Sequence, residues 1–333
     1  MTDCLYLGSE DVADLAEPAA YVAAVRDAYR QRGEGAPAEP RTKLVNEEPP
    51  GMFTTYAAVL PETGAMGGYM YGAGFDARDA WFVAPLFDAE SGEPLALLDG
   101  ASMNPFKTGA VGAVGTDALA RRDATSLAVI GSGAQARGQL RAIDTVRDIE
   151  TVWVYSPTKE NREDFAGEMN KRLDASVAAV ASSAAAVEDA DIVVTATNAP
   201  EPVFDGDHLE PGTHVTAMGQ YDPEKRELDA RTLERAGKYV LDLAARTETD
   251  AGSFIQAKAD GVVTDDDVHG ELGDVLVNRL PGREDDEEIT VFDSGGTAIE
   301  TVAAAHMLYE RAAEAGRGKE IDFAPASEAL TGE

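Results

Sequence analysis

The period of hydrophobic and polar positions changes along this chain. Before Gly33 it is helical: Val22, Val25 and Tyr29 recur on one face, Pro18 suits a first helical position, and Ser9 can cap a shorter helix ahead of it. From Arg41 to about Leu98 short apolar runs alternate with Gly and Pro. They predict strands over Met52–Leu60, Gly67–Tyr71, Trp81–Asp88 and Pro94–Leu98, with Ala89-Glu90-Ser91-Gly92 as a hairpin turn. A Gly/Ala-rich helix over 108–120 ends this antiparallel part. Strands then alternate with helices: Leu127–Ile130, Thr151–Ser156, Asp191–Asn198, Thr213–Met218 and Tyr239–Leu243, with helices over 134–146 and 184–189. That alternation predicts a parallel α/β sheet. Thr297-x-x-Glu300 is a capping box opening a helix through Val302, Ala305, Leu308, Tyr309 and Ala312, ended by Gly316. No strand of the alternating pattern follows it, so it is expected to cross back to the N-terminal sheet.

The sharpest local signal lies at the first of the alternating strands. The apolar run ending at Ile130 leads into Gly131-Ser132-Gly133-Ala134-Gln135-Ala136 and then a helix. Gly131 allows the tight turn, Gly133 lets a phosphate approach the backbone, and Ala136 is small enough for helix and strand to pack closely. The free N–H groups and positive end of the helix then face an anion. This is a dinucleotide-binding turn, and it implies a Rossmann-type sheet. The end of the next strand should meet the adenosine ribose, where an acid would favour NAD. Here it reads Ser156-Pro157-Thr158-Lys159, with Arg162 one turn later. A hydroxyl with two cations suits a 2′-phosphate at least as well as a bare ribose, although a solvated loop would also read this way. The expected cofactor is NAD or NADP, tilted to NADP. Thr195 and Thr197 end the strand after that, at the carboxyl edge where a parallel sheet presents ligands.

Composition adds one unusual property. The chain has 61 acidic against 28 basic residues, a net charge of −33. Self-repulsion of that size costs stability unless salt screens it, and at about 1 M salt the screening length is only about 3 Å. The bias is that of cytosolic proteins from salt-accumulating halophiles, and it argues against nucleic acid and anionic membranes as partners. The run Arg283–Glu288 is expected to be a solvated loop and not a metal site, and Thr264-Asp265-Asp266-Asp267 a helix start. His208, His214, His269 and His306 show no ligand spacing, so no metal is expected. The single cysteine, Cys4, fits a reducing compartment, and Met1-Thr-Asp-Cys-Leu-Tyr lacks the basic and apolar parts of a signal peptide. With no run of eighteen apolar residues, a cytoplasmic protein is expected.

Several segments in order resemble the ornithine cyclodeaminase/mu-crystallin family. They are Leu86–Gly100 followed by Lys107-Thr108, the Gly131–Ala136 turn, Asp191–Thr197, Pro211–Val215 with Arg226-Glu227-Leu228-Asp229, and Val291–Gly296. The resemblance implies a homodimer joined through N-terminal sheets, and hydride chemistry at the α-carbon of an amino or imino acid with a nicotinamide cofactor. It adds Thr108 and Ser294 to the cofactor-binding candidates. The implied architecture is a Rossmann-type domain over 121–296 and an α+β dimerisation and substrate domain over 1–120 plus 297–333, completed by the C-terminal helix.

The chain departs from the family where the chemistry sits. Arg41 fits the family arginine that grips a substrate carboxylate. The family lysine near Gly-Gly-x-Lys is missing, since this chain reads Gly67-Gly68-Tyr69-Met70. Lys107 stands where the family has an arginine, keeping the charge without the planar fork. The cyclodeaminase aspartate two residues before a proline is replaced by Tyr221, with Asp222 one residue late before Pro223. The expectation is therefore an NAD(P)-dependent amino- or imino-acid oxidoreductase. Arg41 and Lys107 would bind the carboxylate and Tyr221 or Asp222 would relay the proton. The rivals are a true cyclodeaminase making proline and ammonia from ornithine, and a cofactor-binding protein without turnover.

Overall fold

Helix Asn104–Leu119 joins two differently built parts of the chain. The structure, a computed structural model, describes residues 2–75 and 80–331. It divides into one unit formed by Met1–Lys107 with Thr297–Glu333 and a second formed by Thr108–Gly296, so the division falls inside that helix and not near Arg121.

The first unit is a seven-stranded sheet with helices on it. Its order is Lys319–Phe323, Thr2–Leu7, Pro94–Asp99, Ala80–Asp88, Ala65–Gly74, Gly51–Leu60, Thr42–Asn46. All neighbours are antiparallel except Thr2–Leu7 with Pro94–Asp99. The strand turn at residues 89–92 is closed by the Asp88 N–H to the Glu93 carbonyl. Helix Pro18–Gly33 starts on its proline and buries Tyr21, Val22, Val25, Ala28 and Tyr29. Helix Ala298–Glu314 begins at the Thr297/Glu300 capping box and packs on Pro18–Gly33 and on the central strands. It returns to the N-terminal sheet as expected and then contributes a further edge strand that the sequence reading does not include. Ser9 is not a cap: Gly8 holds that position, and the Ser9 hydroxyl donates to Asp99 at 2.8 Å.

The second unit is an eight-stranded, wholly parallel sheet. Its order is Ser176–Ala179, Thr151–Tyr155, Ser126–Ile130, Ile192–Thr195, His214–Ala217, Ile289–Asp293, Ala236–Leu241, Val268–Glu271. The order reverses at Ser126–Ile130, whose neighbours are the next strand on one side and a later strand on the other. Ile130 and Thr195 are in register at that reversal, the place where an open parallel sheet presents ligands at its carboxyl edge. The core is aliphatic, with Ala128, Val193, Val215 and Val291 at 0% exposure.

The acidic run near residue 285 is more than a solvated loop. Glu288 pairs at 2.9 Å with Lys238, which is 6% exposed, and Glu284 pairs with it at 3.1 Å. Arg283 donates to the Leu119 carbonyl at 2.7 Å and to the Thr290 hydroxyl at 3.0 Å. The expected helix start at Thr264 is a single 3-10 turn, closed by a capping box between Thr264 and Asp267.

Candidate functional site

In the second unit the glycine turn has the geometry its sequence implies. Gly131 has φ +123°, and a Cβ there would lie 2.4 Å from the Ala196 carbonyl oxygen. Gly133 is different: its backbone is extended and a Cβ would meet nothing within 4 Å. The protein's own packing does not require that glycine, and the open space in front of it is what a pyrophosphate needs. Gly133 is the N-cap of helix Ala134–Ile143 and offers no capping side chain, so the first-turn N–H groups stay available to an anion. Ala136 is fully buried, and the Gln135 Oε1 is buried without a hydrogen-bond partner. These features fit a dinucleotide.

At the end of the neighbouring strand, the Ser132 hydroxyl donates to the Ser156 hydroxyl at 3.0 Å, tying the glycine turn to that strand end. Arg162 donates to the Ser156 carbonyl at 2.8 Å and lies over the Tyr155 ring at 5.7 Å. Thr158 is the N-cap of helix Lys159–Met169, and Lys159 is exposed beside Glu163 at 3.6 Å. No acid occupies 156–158.

Two assigned threonines do something else. Thr195 donates its hydroxyl to Glu227 at 3.0 Å, and Thr197 donates both its N–H and its hydroxyl to Glu227, at 2.7 and 2.6 Å. The Gly219 N–H also donates to Glu227, at 2.6 Å. Burial pushes the Glu227 pKa up, against the pull of these four donors. Glu227, for which the sequence carries no site signal, thus ties together the ends of two strands at the carboxyl edge of the sheet. Ser294 is redirected in the same way: it is fully buried and its hydroxyl donates to Asp242 at 2.8 Å. Asp242 also accepts from the N–H groups of Gly295 and Gly296. Behind it sits Arg246, 1% exposed, bonded to Asp242, Asp250 and Asp293 at 2.9, 2.6 and 3.1 Å. Burial alone would weaken the charge on Arg246, but the three carboxylates hold its pKa well above the ordinary value. The spacing of Asp242, Arg246 and Asp250, four residues apart each time, is the sequence signal for this cluster.

Tyr221 and Asp222 follow strand His214–Ala217 and are partly exposed. Asp222 accepts from the Glu224 N–H at 3.1 Å and lies 3.8 Å from Lys225, so its carboxylate stabilises its own turn. The carbonyl of Thr108 accepts from Gln139 at 2.8 Å.

In the first unit, Arg41 and Lys107 both lie against aromatic rings. The Arg41 guanidinium is 5.3 Å from the Tyr56 ring centre and the Lys107 ammonium 4.9 Å from that of Tyr69. Tyr56 and Tyr69 are 5.7 Å apart, Tyr69 stacks on Phe82 at 5.2 Å, and Tyr71 lies 5.1 Å from Phe82. Burial raises the phenol pKa of Tyr56 and Tyr69, so both stay neutral. Lys107 is 1% exposed and its ammonium is 3.5 Å from Glu300. On strand Ala65–Gly74, where the family lysine is missing, Tyr69 and Tyr71 point inward and Met70 lines a groove of about 560 Å³ on the other face. Among the described residues no cluster of three or more His, Cys, Asp or Glu is arranged to hold a metal, and no helix is long and apolar enough to cross a membrane.

Comparison with known proteins agrees with this geometry. The chain is 38% identical over 241 residues to a Delta(1)-pyrroline-2-carboxylate reductase of Bacillus cereus, covering 72% of this chain and 74% of that protein. It superimposes on the Thermococcus litoralis Delta(1)-pyrroline-2-carboxylate reductase in complex with NADH and L-proline with a TM-score of 0.91 and 32% identity, over 95% of this chain and 100% of that one. An archaeal alanine dehydrogenase dimer with bound NAD gives a TM-score of 0.90 at 32% identity, over 97% and 100%. The profile of the ornithine cyclodeaminase/mu-crystallin family matches residues 8–316, and with the glycine turn and the parallel sheet in place this chain belongs to that family.

Proposed function

We propose that the chain is an NAD(P)-dependent oxidoreductase of a small amino or imino acid, and that reduction of a cyclic imino acid such as Delta(1)-pyrroline-2-carboxylate is the reaction it fits best. The observation that carries this reading is the pairing of two cations with a continuous aromatic wall, Arg41 on Tyr56 and Lys107 on Tyr69. Cations suit a carboxylate, and neutral rings suit an unsubstituted hydrocarbon ring. An ω-amino group, as in ornithine, would be better served by an acid than by Tyr69, Tyr71 and Phe82.

Arg41 and Lys107 hold the carboxylate in this reading. Tyr221 or Asp222 supplies the proton that the imine nitrogen keeps as an amine. The bound nicotinamide supplies the hydride. Ser132, Ser156, Thr158, Lys159 and the Gly131–Gln135 turn hold the nucleotide, and without an acid at 156–158 the ribose site accepts a 2′-phosphate, which favours NADP. Thr108 lies beside the nucleotide in this reading, while Thr195, Thr197 and Ser294, whose hydroxyls are bonded to Glu227 and Asp242, shape the edge of the cofactor site.

The protein works as a homodimer in this reading. The face of the N-terminal sheet away from its helices exposes Phe53, Trp81 (78% exposed) and Val83, an apolar surface that suits a second copy. It works in a reducing cytosol at high salt, in keeping with one cysteine and the −33 charge.

The test is cofactor oxidation on adding Delta(1)-pyrroline-2-carboxylate in concentrated salt. Arg41→Ala and Lys107→Ala should each remove about 1.5–3 kcal/mol of charge-assisted bonding, lowering kcat/KM roughly ten- to hundredfold, with dinucleotide affinity unchanged. Full turnover in either variant removes that residue from the site.

A further inference from the structure

A capping box takes Glu or Gln at its third helical position, and either residue closes it. At Ala298–Glu314 the box is buried: Thr297 is 3% exposed and Glu300 is fully buried. Glu300 Oε1 accepts from the Thr297 N–H at 2.6 Å, while Oε2 accepts from the Thr297 hydroxyl at 2.6 Å and the Tyr29 hydroxyl at 3.1 Å. Oε1 also lies 3.5 Å from Lys107 Nζ, with the two side chains 0% and 2% exposed. A buried carboxylate is strongly unfavourable unless a charge partner compensates it. Glutamine would keep the bond to the Thr297 N–H without that penalty, so the cap does not account for the charge. Lys107 does.

Among the described residues, the groups around the pair include Tyr29 from the facing helix, Tyr56, Tyr69 and Tyr71 from the sheet, the Arg41 cation near Tyr56, and the Asp99 carboxylate near Tyr69. Glu300 is a carboxylate that touches Lys107 directly.

We propose that Glu300 is a positioning residue for substrate recognition: its carboxylate pairs with the Lys107 ammonium and fixes it beside the Tyr69 ring, ready for the carboxylate of the imino acid. The inference rests on the role given to Lys107 above. It extends that role to a residue that touches neither substrate nor cofactor.

Glu300→Gln keeps the size and the capping bond and removes only the charge. Steady-state kinetics with Delta(1)-pyrroline-2-carboxylate and NADPH, cofactor affinity by fluorescence, and the melting temperature form one experiment. KM for the imino acid should rise about tenfold or more, with kcat changed far less and cofactor affinity unchanged. Glu300→Asp keeps the charge and should bring KM back toward the wild-type value. A folded Glu300→Gln variant with wild-type KM overturns the inference.

If Glu300→Gln fails to fold, the Glu300→Gln/Lys107→Met pair removes both charges together. Its KM should match that of Lys107→Met alone, whereas a KM higher by about a further tenfold means the two residues act independently and overturns the inference. A wild type that turns over no imino acid removes the reading of the site and this inference with it. Wild-type turnover with an unaltered variant removes the inference alone.

Discussion

Glu227 holds Thr197 by two short bonds, from its backbone N–H at 2.7 Å and its hydroxyl at 2.6 Å, across thirty residues of sequence. The same carboxylate takes the Gly219 N–H, so one buried side chain sets the spacing of two loops at the carboxyl edge of the sheet. Glu227→Ala leaves these buried donors without an acceptor. The expected cost is about 2–5 kcal/mol of stability, since each unpaired buried donor costs about 1–3 kcal/mol. Affinity for the reduced cofactor, read by fluorescence titration, should fall with it. A variant that melts and binds like the wild type shows that the loops hold their places without Glu227.

The two glycines of the turn make opposite predictions. Gly133→Val should abolish dinucleotide binding with the fold intact, because the position has an ordinary backbone and open space in front of it. Gly131→Ala should instead destabilise the unit, because its φ of +123° disfavours a side chain and a Cβ would meet the Ala196 carbonyl oxygen at 2.4 Å. Melting curves and cofactor titrations on both variants separate the effects. Unchanged cofactor affinity in Gly133→Val removes the site assignment.

Thermal stability should rise steeply as salt increases from about 0.1 M toward molar concentrations, because screening relieves the repulsion of a −33 surface. Scanning calorimetry across that range is the check. A flat or falling melting temperature contradicts the proposal that the protein works at high salt.

His214 gives a pH prediction. It is fully buried, 2.9 Å from the Thr290 hydroxyl and 3.0 Å from that of Thr216, and burial pulls its pKa down to about 3 with Arg283 and Arg147 adding to the effect. The folded state therefore favours the neutral ring. Its contribution is complete above about pH 6.5 and is lost as pH falls toward 3. His214→Gln, which cannot charge, should lose less stability than the wild type between pH 7 and pH 4, by about 2–4 kcal/mol. Parallel denaturant curves at the two pH values would show it, and identical losses in both proteins would discount His214.

The glycine turn, the parallel sheet and the returning C-terminal helix were legible because each rests on a local pattern. Gly131-x-Gly133 needs only a strand before it and a helix after it, and Thr297/Glu300 is a four-residue signal. The edge strands were not. Thr42–Asn46 is exposed at every position, so no face of it carries a hydrophobic alternation. Thr2–Leu7 and Lys319–Phe323 are strands because they pair with each other across the length of the chain. The buried charges were hidden for a related reason. Glu227, Arg246 and Glu300 look like surface residues, and only the fold shows what surrounds them. Thr195 is a candidate by its place at a strand end and Ser294 by the family resemblance, and the structure gives their hydroxyls to Glu227 and Asp242.

The most direct test of the central claim is the stoichiometry of cofactor against substrate in concentrated salt. Delta(1)-pyrroline-2-carboxylate and ornithine are supplied in parallel, and cofactor oxidation, proline and ammonia are measured together. The account predicts one NADH or NADPH oxidised for each imino acid consumed, and no ammonia from ornithine. Proline and ammonia formed from ornithine without net cofactor change, or tight cofactor binding with no turnover of either compound, would contradict it.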